Sequence, residues 1–205
     1  MLKTKIAVFV SGGGTNLQAL IDAQKAGIIK SGELALVVAN NAGAYAIQRA
    51  KGNNIPCEII LKKECGSQEA FEQKIMDTLA AYHIDMIVLA GFMSILSETF
   101  TSAYPKRILN VHPSLIPSFC GKGFYGLKVH QAALDYGVKV TGATVHYVNE
   151  VPDGGEIILQ KAVNIRENDT PETLQKRVMR LAEWKILPQA TELVAKRLAE
   201  EKISE

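Results

Sequence analysis

A chain of 205 residues, 47% hydrophobic and with a formal charge of only +2, has enough apolar material for a sizeable core and too little charge for a disordered polyelectrolyte. Lys and Arg are scattered with no basic stripe, which argues against nucleic acid. No run approaches the ~18 apolar residues of a membrane span, Ile6 to Val10 falls short of the ~7–15 of a secretory signal, and the widely spaced Cys57, Cys65 and Cys120 point to reduced thiols in the cytoplasm.

Ile6 to Val10 reads as a short buried strand, and the amphipathic stretch from about Asn16 to Ala26, closed by Gly27, as the first helix. Leu34 to Ala39 is a second strand, followed by a helical stretch from Tyr45 to Ala50 that Gly52 ends. Cys57 to Leu61 and Met86 to Ala90 read as strands flanking a helix from about Ser67 to Tyr82. Ser67 suits its N-cap, and Glu69 and Glu72 suit its positive start. Beyond Asn110 the pattern changes. Thr141 to Val148 and Glu156 to Val163 are strand-like runs at hairpin spacing around Pro152-Asp153-Gly154-Gly155. A closing helix opens with Thr170 as cap, Pro171 at the first position and Glu172 next; Pro188 is expected to kink or break it. Continuous apolar strands alternating with helices predict an α/β fold: a doubly wound, mostly parallel sheet with a C-terminal hairpin and a closing helix. With no repeat, linker or low-complexity segment, residues 1–205 are expected to form a single domain.

Four segments can carry chemistry. Ser11-Gly12-Gly13-Gly14-Thr15-Asn16 joins the first strand to the first helix. Its glycines let amides turn toward a ligand, and the helix start adds partial positive charge, so an anion is favoured. The dinucleotide fingerprint needs a glycine where Leu17 stands, and the nucleotide P-loop needs a Lys that is absent. A monophosphate fits better; a plain structural turn is the alternative. The second segment, Asn110-Val111-His112-Pro113, follows apolar Ile108 and Leu109. In an extended chain Asn110 and His112 leave one face while Pro113 stops the sheet. An amide beside an imidazole suits a reaction in which a carbonyl oxygen turns negative and a proton moves, although a structural hydrogen-bonded pair has the same signature.

Asp153, the third, is ordinary turn chemistry before Gly154 unless it approaches His112, where a carboxylate raises the imidazole pKa and orients the ring. Leu89 to Leu96, the fourth, leaves a parallel strand end where a flat apolar ligand can be covered; Leu89 and Ile95 read as core by default. The remaining histidines read as background: His83 solvated, His130 a surface or loop contact, His146 structural with a minor chance of lining the site. Trp184 and Tyr147 read as packing residues, and Cys120 as the one thiol of interest.

Ser-Gly-Gly-Gly-Thr-Asn, Leu-Ala-Gly-Phe-Met, Asn-Val-His-Pro-Ser-Leu-Ile-Pro, Thr-Gly-Ala-Thr-Val-His and Val-Pro-Asp-Gly-Gly, in this order and spacing, resemble the folate-dependent phosphoribosylglycinamide formyltransferases of purine biosynthesis. The resemblance covers essentially the whole chain. It implies a Rossmann-like formyltransferase fold and transfer of a formyl group from 10-formyltetrahydrofolate, a co-substrate, to the amine of 5′-phosphoribosylglycinamide. It implies small-molecule partners and no metal. It also implies a catalytic trio of Asn110, His112 and Asp153, the substrate phosphate at Gly14, Thr15 and Asn16, and the ribose at Glu183. The pterin pocket would be lined by Met93, Ser94, Ile95 and Leu96, by Asn110, and by Asn149, Glu150, Val151, Pro152 and Asp153.

On that assignment Asn110 donates to the oxyanion, a cationic His112 donates a stronger bond, and Asp153 keeps His112 cationic and relays the amine proton. Two departures mark this chain. Gln68 and Ser94 stand where relatives carry basic residues at the folate glutamate tail, which leaves that tail weaker binding or backbone amides. Arg180 stands where some relatives are neutral near the phosphate, which would strengthen anion binding. The Ser118 to Lys128 loop is the expected mobile cover. A 10-formyltetrahydrofolate hydrolase and a methionyl-tRNA formyltransferase share the trio, but each is expected to need an extra domain for which this chain has no room. A non-catalytic phosphate- or nucleotide-binding module explains the glycine loop and not the gathering of the trio.

Overall fold

The first strand, β1 (Thr4–Val10), sends Ile6, Val8 and Val10 to one face and Ala7 and Phe9 to the other, and all five are fully buried. Such a strand has no polar face and must lie mid-sheet, covered on both sides. It pairs in parallel with β2 (Gly32–Ala39) and β4 (Met86–Leu89). The computed structural model describes residues 3–204; Met1, Leu2 and Glu205 lie outside that description. Short β3 (Cys57–Ile59) and β5 (Ile108–His112) extend the parallel part, and β6 (Val140–Tyr147) and β7 (Ile157–Asn164) join antiparallel. The order is β3-β2-β1-β4-β5-β6-β7, a seven-stranded, mostly parallel sheet as the alternating pattern predicts.

One face is covered by α1 (Thr15–Lys25), α2 (Ala46–Gly52), α7 (Pro171–Val178) and α8 (Trp184–Ser204), through Leu17, Leu20, Ala46, Leu174, Leu187 and Val194. On the other, α4 (Gln68–Ala81) and α5 (Glu98–Ala103) bury Phe71, Ile75, Leu79 and Phe100. Ser67 caps α4 as expected, accepting from Ala70 N. Glu72, read as suiting the helix start, is buried, and it accepts from Ser97 N at 2.7 Å and so ties α4 to the start of α5. Two short helices complete the elements: α3 (Lys62–Cys65) and α6 (Leu127–Tyr136).

The closing segment divides otherwise than expected at Pro188. Thr170 and Thr173 form a reciprocal cap, and α7 runs into a π-helical turn, Met179–Glu183, before α8 begins. Pro188 then lies early in α8, which continues past it to Ser204. The helical path is continuous, and its irregularity is the π-helical turn five to nine residues before Pro188, where the wider turn places Glu183 toward the interior. Across the sheet, the buried Thr4 hydroxyl donates to Ala195 O at 2.7 Å, so the first strand and last helix are bonded directly. Among the described residues no helix is long and apolar enough to cross a membrane.

Candidate active site

In this sheet order the chain runs one way from β1, through α1 to β2 and on to β3, and then crosses back through α4 to β4 on the other side of β1. The crevice at the carboxyl ends of β1 and β4 is therefore the topological switch point at which open α/β sheets bind ligands. The glycine loop leaves β1 there, and Gly91-Phe92-Met93 leaves β4. They are joined where Met93 N donates to Ser11 Oγ at 2.8 Å and where Phe9 and Phe92 pack with ring centroids 5.2 Å apart.

Next along the sheet, β5 ends in Asn110 and His112. Opposite them in β6 lie His146 and Thr144. Thr144 Oγ1 donates to Ser114 O at 2.7 Å and accepts from Ile116 N and Gln160 Nε2, which holds the chain after His112 in place. Asp153 comes from the connection between β6 and β7. Its φ of 56° is left-handed, an uncommon conformation that Asp tolerates better than most residues. Gly155 is required beside it, because a Cβ there would stand 1.9 Å from Tyr147 O. Thus Asp153 Oδ2 reaches 3.4 Å from His112 Nδ1, and Oδ1 lies 3.4 Å from Asn110 Nδ2 and 3.5 Å from His146 Nε2. The expected trio converges, and with it a fourth residue.

Hydrogen-bond roles follow from partners that can only accept. His112 Nε2 lies 2.9 Å from Phe119 O, so Nε2 carries a hydrogen and Nδ1 is the nitrogen facing the carboxylate. His146 Nδ1 likewise lies 2.7 Å from Tyr147 O, which leaves Nε2 to receive the Asn110 amide at 3.2 Å. His146 therefore orients Asn110. The sequence assigns it to structure because the antiparallel register that sets it opposite Asn110 is not visible in a strand read alone.

Burial pushes the His112 pKa below the ordinary imidazole value, with His146 adding to the fall; the charge of Asp153 and the bond to Phe119 O oppose it without winning. In the free protein burial therefore outweighs the pull of Asp153 and shifts the ring toward its neutral form, with Nδ1 facing the carboxylate. Burial also opposes ionisation of Asp153, but the adjacent His146 ring, the bond from Gly121 N and the nearby His112 outweigh it and hold the carboxyl below its usual range. Gly121 N donates at 2.8 Å. The Ser118 to Lys128 loop thus touches both His112, through Phe119, and Asp153, through Gly121. Cys120 between them donates weakly to Pro117 O, and burial, helped by Asp153, raises its pKa, so it is a poor nucleophile.

The glycine loop reaches the opposite end of the same crevice. Gly14 sits at φ 70° as the N-cap of α1. Asn16 Nδ2 donates to Glu183 Oε2 at 2.8 Å, while Asn16 Oδ1 is buried without a partner among the described residues. Complete burial drives the Glu183 pKa up to about 7 against the pull of that bond. The trio opens into a cavity of ≈ 550 Å³ lined by Met93, Ser94, Ile95, Asn110, His112, Asp153 and the Gly121–Gly126 loop, while Thr15 of the glycine loop lines another, between α1 and α8.

The sequence pattern of the formyl transferase family matches residues 4–191. A phosphoribosylglycinamide formyltransferase of Haemophilus influenzae is 42% identical, over 90% of this chain and 84% of that protein. The chain belongs to the formyl transferase family. A chloroplastic phosphoribosylglycinamide formyltransferase of Arabidopsis thaliana is 41% identical, but this chain spans only 61% of its length. Glycinamide ribonucleotide transformylase 1 from Symbiobacterium toebii has the same fold, with a TM-score of 0.88 and 39% identity over 95% of this chain and 89% of that one.

Within this formyl transferase the expected pterin residues do share one wall. Ser94, Ile95, Leu96, Asn110 and the run Asn149, Glu150, Val151, Pro152, Asp153 line a recess of ≈ 130 Å³ floored by Leu89, Phe92, His146 and Val148. Met93 lies in the adjoining larger cavity. Leu89 is core, as read, but Ile95 is 68% exposed and is not. Gln68 reaches this segment from α4, its amide donating to Ile95 O at 3.2 Å, and Ser94 Oγ accepts from Asn40 Nδ2 at 2.8 Å. Arg180 lies on the exposed side of the π-helical turn and makes no hydrogen bond or ion pair among the described residues, so nothing draws it to the glycine loop. His130 is corrected outright: it is fully buried, neither ring nitrogen has a partner, and burial with the nearby His112 lowers its pKa to about 4. A separate cavity of ≈ 420 Å³ between α1 and α8, at Ala19, Ala23, Trp184 and Pro188, contains none of the trio.

Proposed function

We propose that this formyl transferase moves the formyl group of 10-formyltetrahydrofolate to the amine of 5′-phosphoribosylglycinamide, as a cytoplasmic single-domain enzyme of small molecules. The observation that carries the proposal is the meeting of His112 Nδ1 with Asp153 Oδ2, 3.4 Å apart, beside Asn110 in the wall of the cavity. A neutral imidazole nitrogen facing a carboxylate is a place where one additional proton is bound well.

Formyl transfer needs such a place. The amine nitrogen adds to the formyl carbon, and the carbonyl π pair moves onto oxygen. The proton lost by the amine passes to His112 Nδ1, where Asp153 stabilises the new charge. Only then is His112 cationic, so its charge grows as the oxyanion grows, which favours the transition state over the bound substrates. The Asn110 amide keeps one hydrogen on His146 and turns the other, directed at Asp153 Oδ1 in the free protein, to that oxygen as its neutral donor. When the carbonyl re-forms, the bond to the folate nitrogen breaks and the stored proton goes to that nitrogen. The recess at Ser94–Leu96 and Asn149–Asp153 supports a flat pterin, and the loop Gly14–Asn16 with Glu183 supports a phosphoribosyl group at the far end. Holding both reactants in one cleft supplies much of the rate.

The test is the absorbance change when a 10-formyl folate is mixed with the protein, with and without phosphoribosylglycinamide. The proposal expects a change only when the amine is present. A change without the amine would mean hydrolysis, and no change in either case would leave a binding module.

A further inference from the structure

We propose that Arg49 is a positioning residue for the phosphate loop, holding the Gly13 carbonyl so that the amides at the start of α1 face the substrate anion. The proposal rests on the reading of Gly14–Asn16 as the phosphate site given above. Arg49 lies on α2, outside every segment that the sequence motifs single out. Its Nε donates to Gly13 O at 2.9 Å. One turn earlier on the same helix, Ala46 N donates to Gly12 O at 3.1 Å. In a planar trans peptide the N–H points opposite to the C=O. Pinning these two carbonyls toward α2 therefore turns the Gly13 and Gly14 N–H groups the other way. Neither of them donates to any group among the described residues, and Gly14 supplies no side-chain cap to compete for the first turn.

The arginine is itself held. Its Nη1 donates to Gln18 Oε1 at 3.1 Å, and its guanidinium lies 5.2 Å from the centroid of the Tyr45 ring. A planar fork fixed at both edges gives the Gly13 carbonyl one direction to point, which a flexible ammonium would not. The loop is also packed closely against α2. A Cβ on Gly14 would meet Ala46 Cβ at 2.6 Å and Arg49 Cδ at 3.3 Å, so α2 and the loop are in direct contact. The preference for an anion is then built by α2 acting on loop carbonyls, with the helix start of α1 as the part that touches the ligand.

The experiment measures KM and kcat of the wild type and Arg49→Ala with phosphoribosylglycinamide and with its dephosphorylated riboside, together with binding of a folate analogue. Removing Arg49 should raise KM for the phosphorylated substrate about tenfold, the effect of a charge-assisted bond lost. Values of kcat and folate-analogue affinity should stay within about twofold. The riboside, lacking the anion, should be a poorer substrate of the wild type and equally poor with Arg49→Ala. Arg49→Lys, which keeps the charge without the planar Nε–H, should recover less than half of the loss; full recovery would mean that charge alone matters and would overturn positioning. Equal losses on both substrates, or no loss, would also overturn it while leaving the phosphate loop in place. If the wild type itself does not distinguish phosphorylated from dephosphorylated substrate, the phosphate-loop reading fails, and this proposal with it. Should Arg49→Ala not fold, the Arg49→Lys comparison decides on the same readouts.

Discussion

At the trio end of the cleft the chemistry is carried by side chains, while at the glycine-loop end it is carried by the backbone. Asn110, His112, His146 and Asp153 form a largely buried polar cluster in which the charges of His112 and Asp153 depend on burial and on each other. Gly12, Gly13 and Gly14 offer only amides and carbonyls, arranged by contacts with α2. The first end suits the part of a reaction in which charge appears and disappears. The second suits a group whose charge never changes. Losses at the first should therefore appear in turnover, and losses at the second in affinity.

The largest expected effect is at His112. In His112→Ala, kcat should fall by ~10²-fold or more with modest change in either KM, because the proton-accepting nitrogen matters most in the transition state. A folded variant with near-normal turnover would remove His112 from the mechanism. Asp153→Asn should come next, with a loss of about tenfold or more, and it is a clean test because Asn also tolerates the left-handed φ of 56°. The carboxylate charge raises the His112 pKa, so its removal should lower that pKa further and move the acid limb of the pH–rate profile to lower pH. An NMR titration with the same His112 midpoint in both proteins would reduce Asp153 to a turn residue.

The smallest effect tests the other end. Gly14→Val must place a branched side chain at φ 70° and against Ala46, so the loop should shift. KM for the phosphorylated amine should rise about tenfold while folate-analogue binding is spared, and inorganic phosphate should protect the variant against heat less than it protects the wild type. Equal losses for both ligands would erase the contrast between the two ends and make the loop purely structural.

Much of this was legible without coordinates. Buried parallel strands announce themselves as continuous apolar runs, and β1, β2 and β4 are of that kind. The i, i+2 relation puts Asn110 beside His112, and the resemblance brings Asp153 to them. Features that depend on pairing or depth were hidden. Nothing in Thr-Val-His says that antiparallel pairing sets His146 against Asn110. A lone His in a short amphipathic helix does not reveal whether it faces water or the core, and His130 faces the core. The lowered pKa of His112 also escapes sequence, because it is set by how completely neighbouring segments exclude water. Arg49 escapes for another reason: its partner is a carbonyl, which every residue possesses.

The bond between Thr4 and Ala195 bears on how the molecule comes into being. A chain made from its N-terminus presents β1 first, yet the acceptor for its buried hydroxyl lies 191 residues further on. The core beneath α8, including Val194, Ala195 and Leu198, cannot close before then. Until it closes, Glu183 at the head of that helix has no fixed place from which to hold Asn16. Assembly of the Asn16–Glu183 contact is thus coupled to the arrival of α8, so a chain with most of its sheet in place is still without a finished cleft.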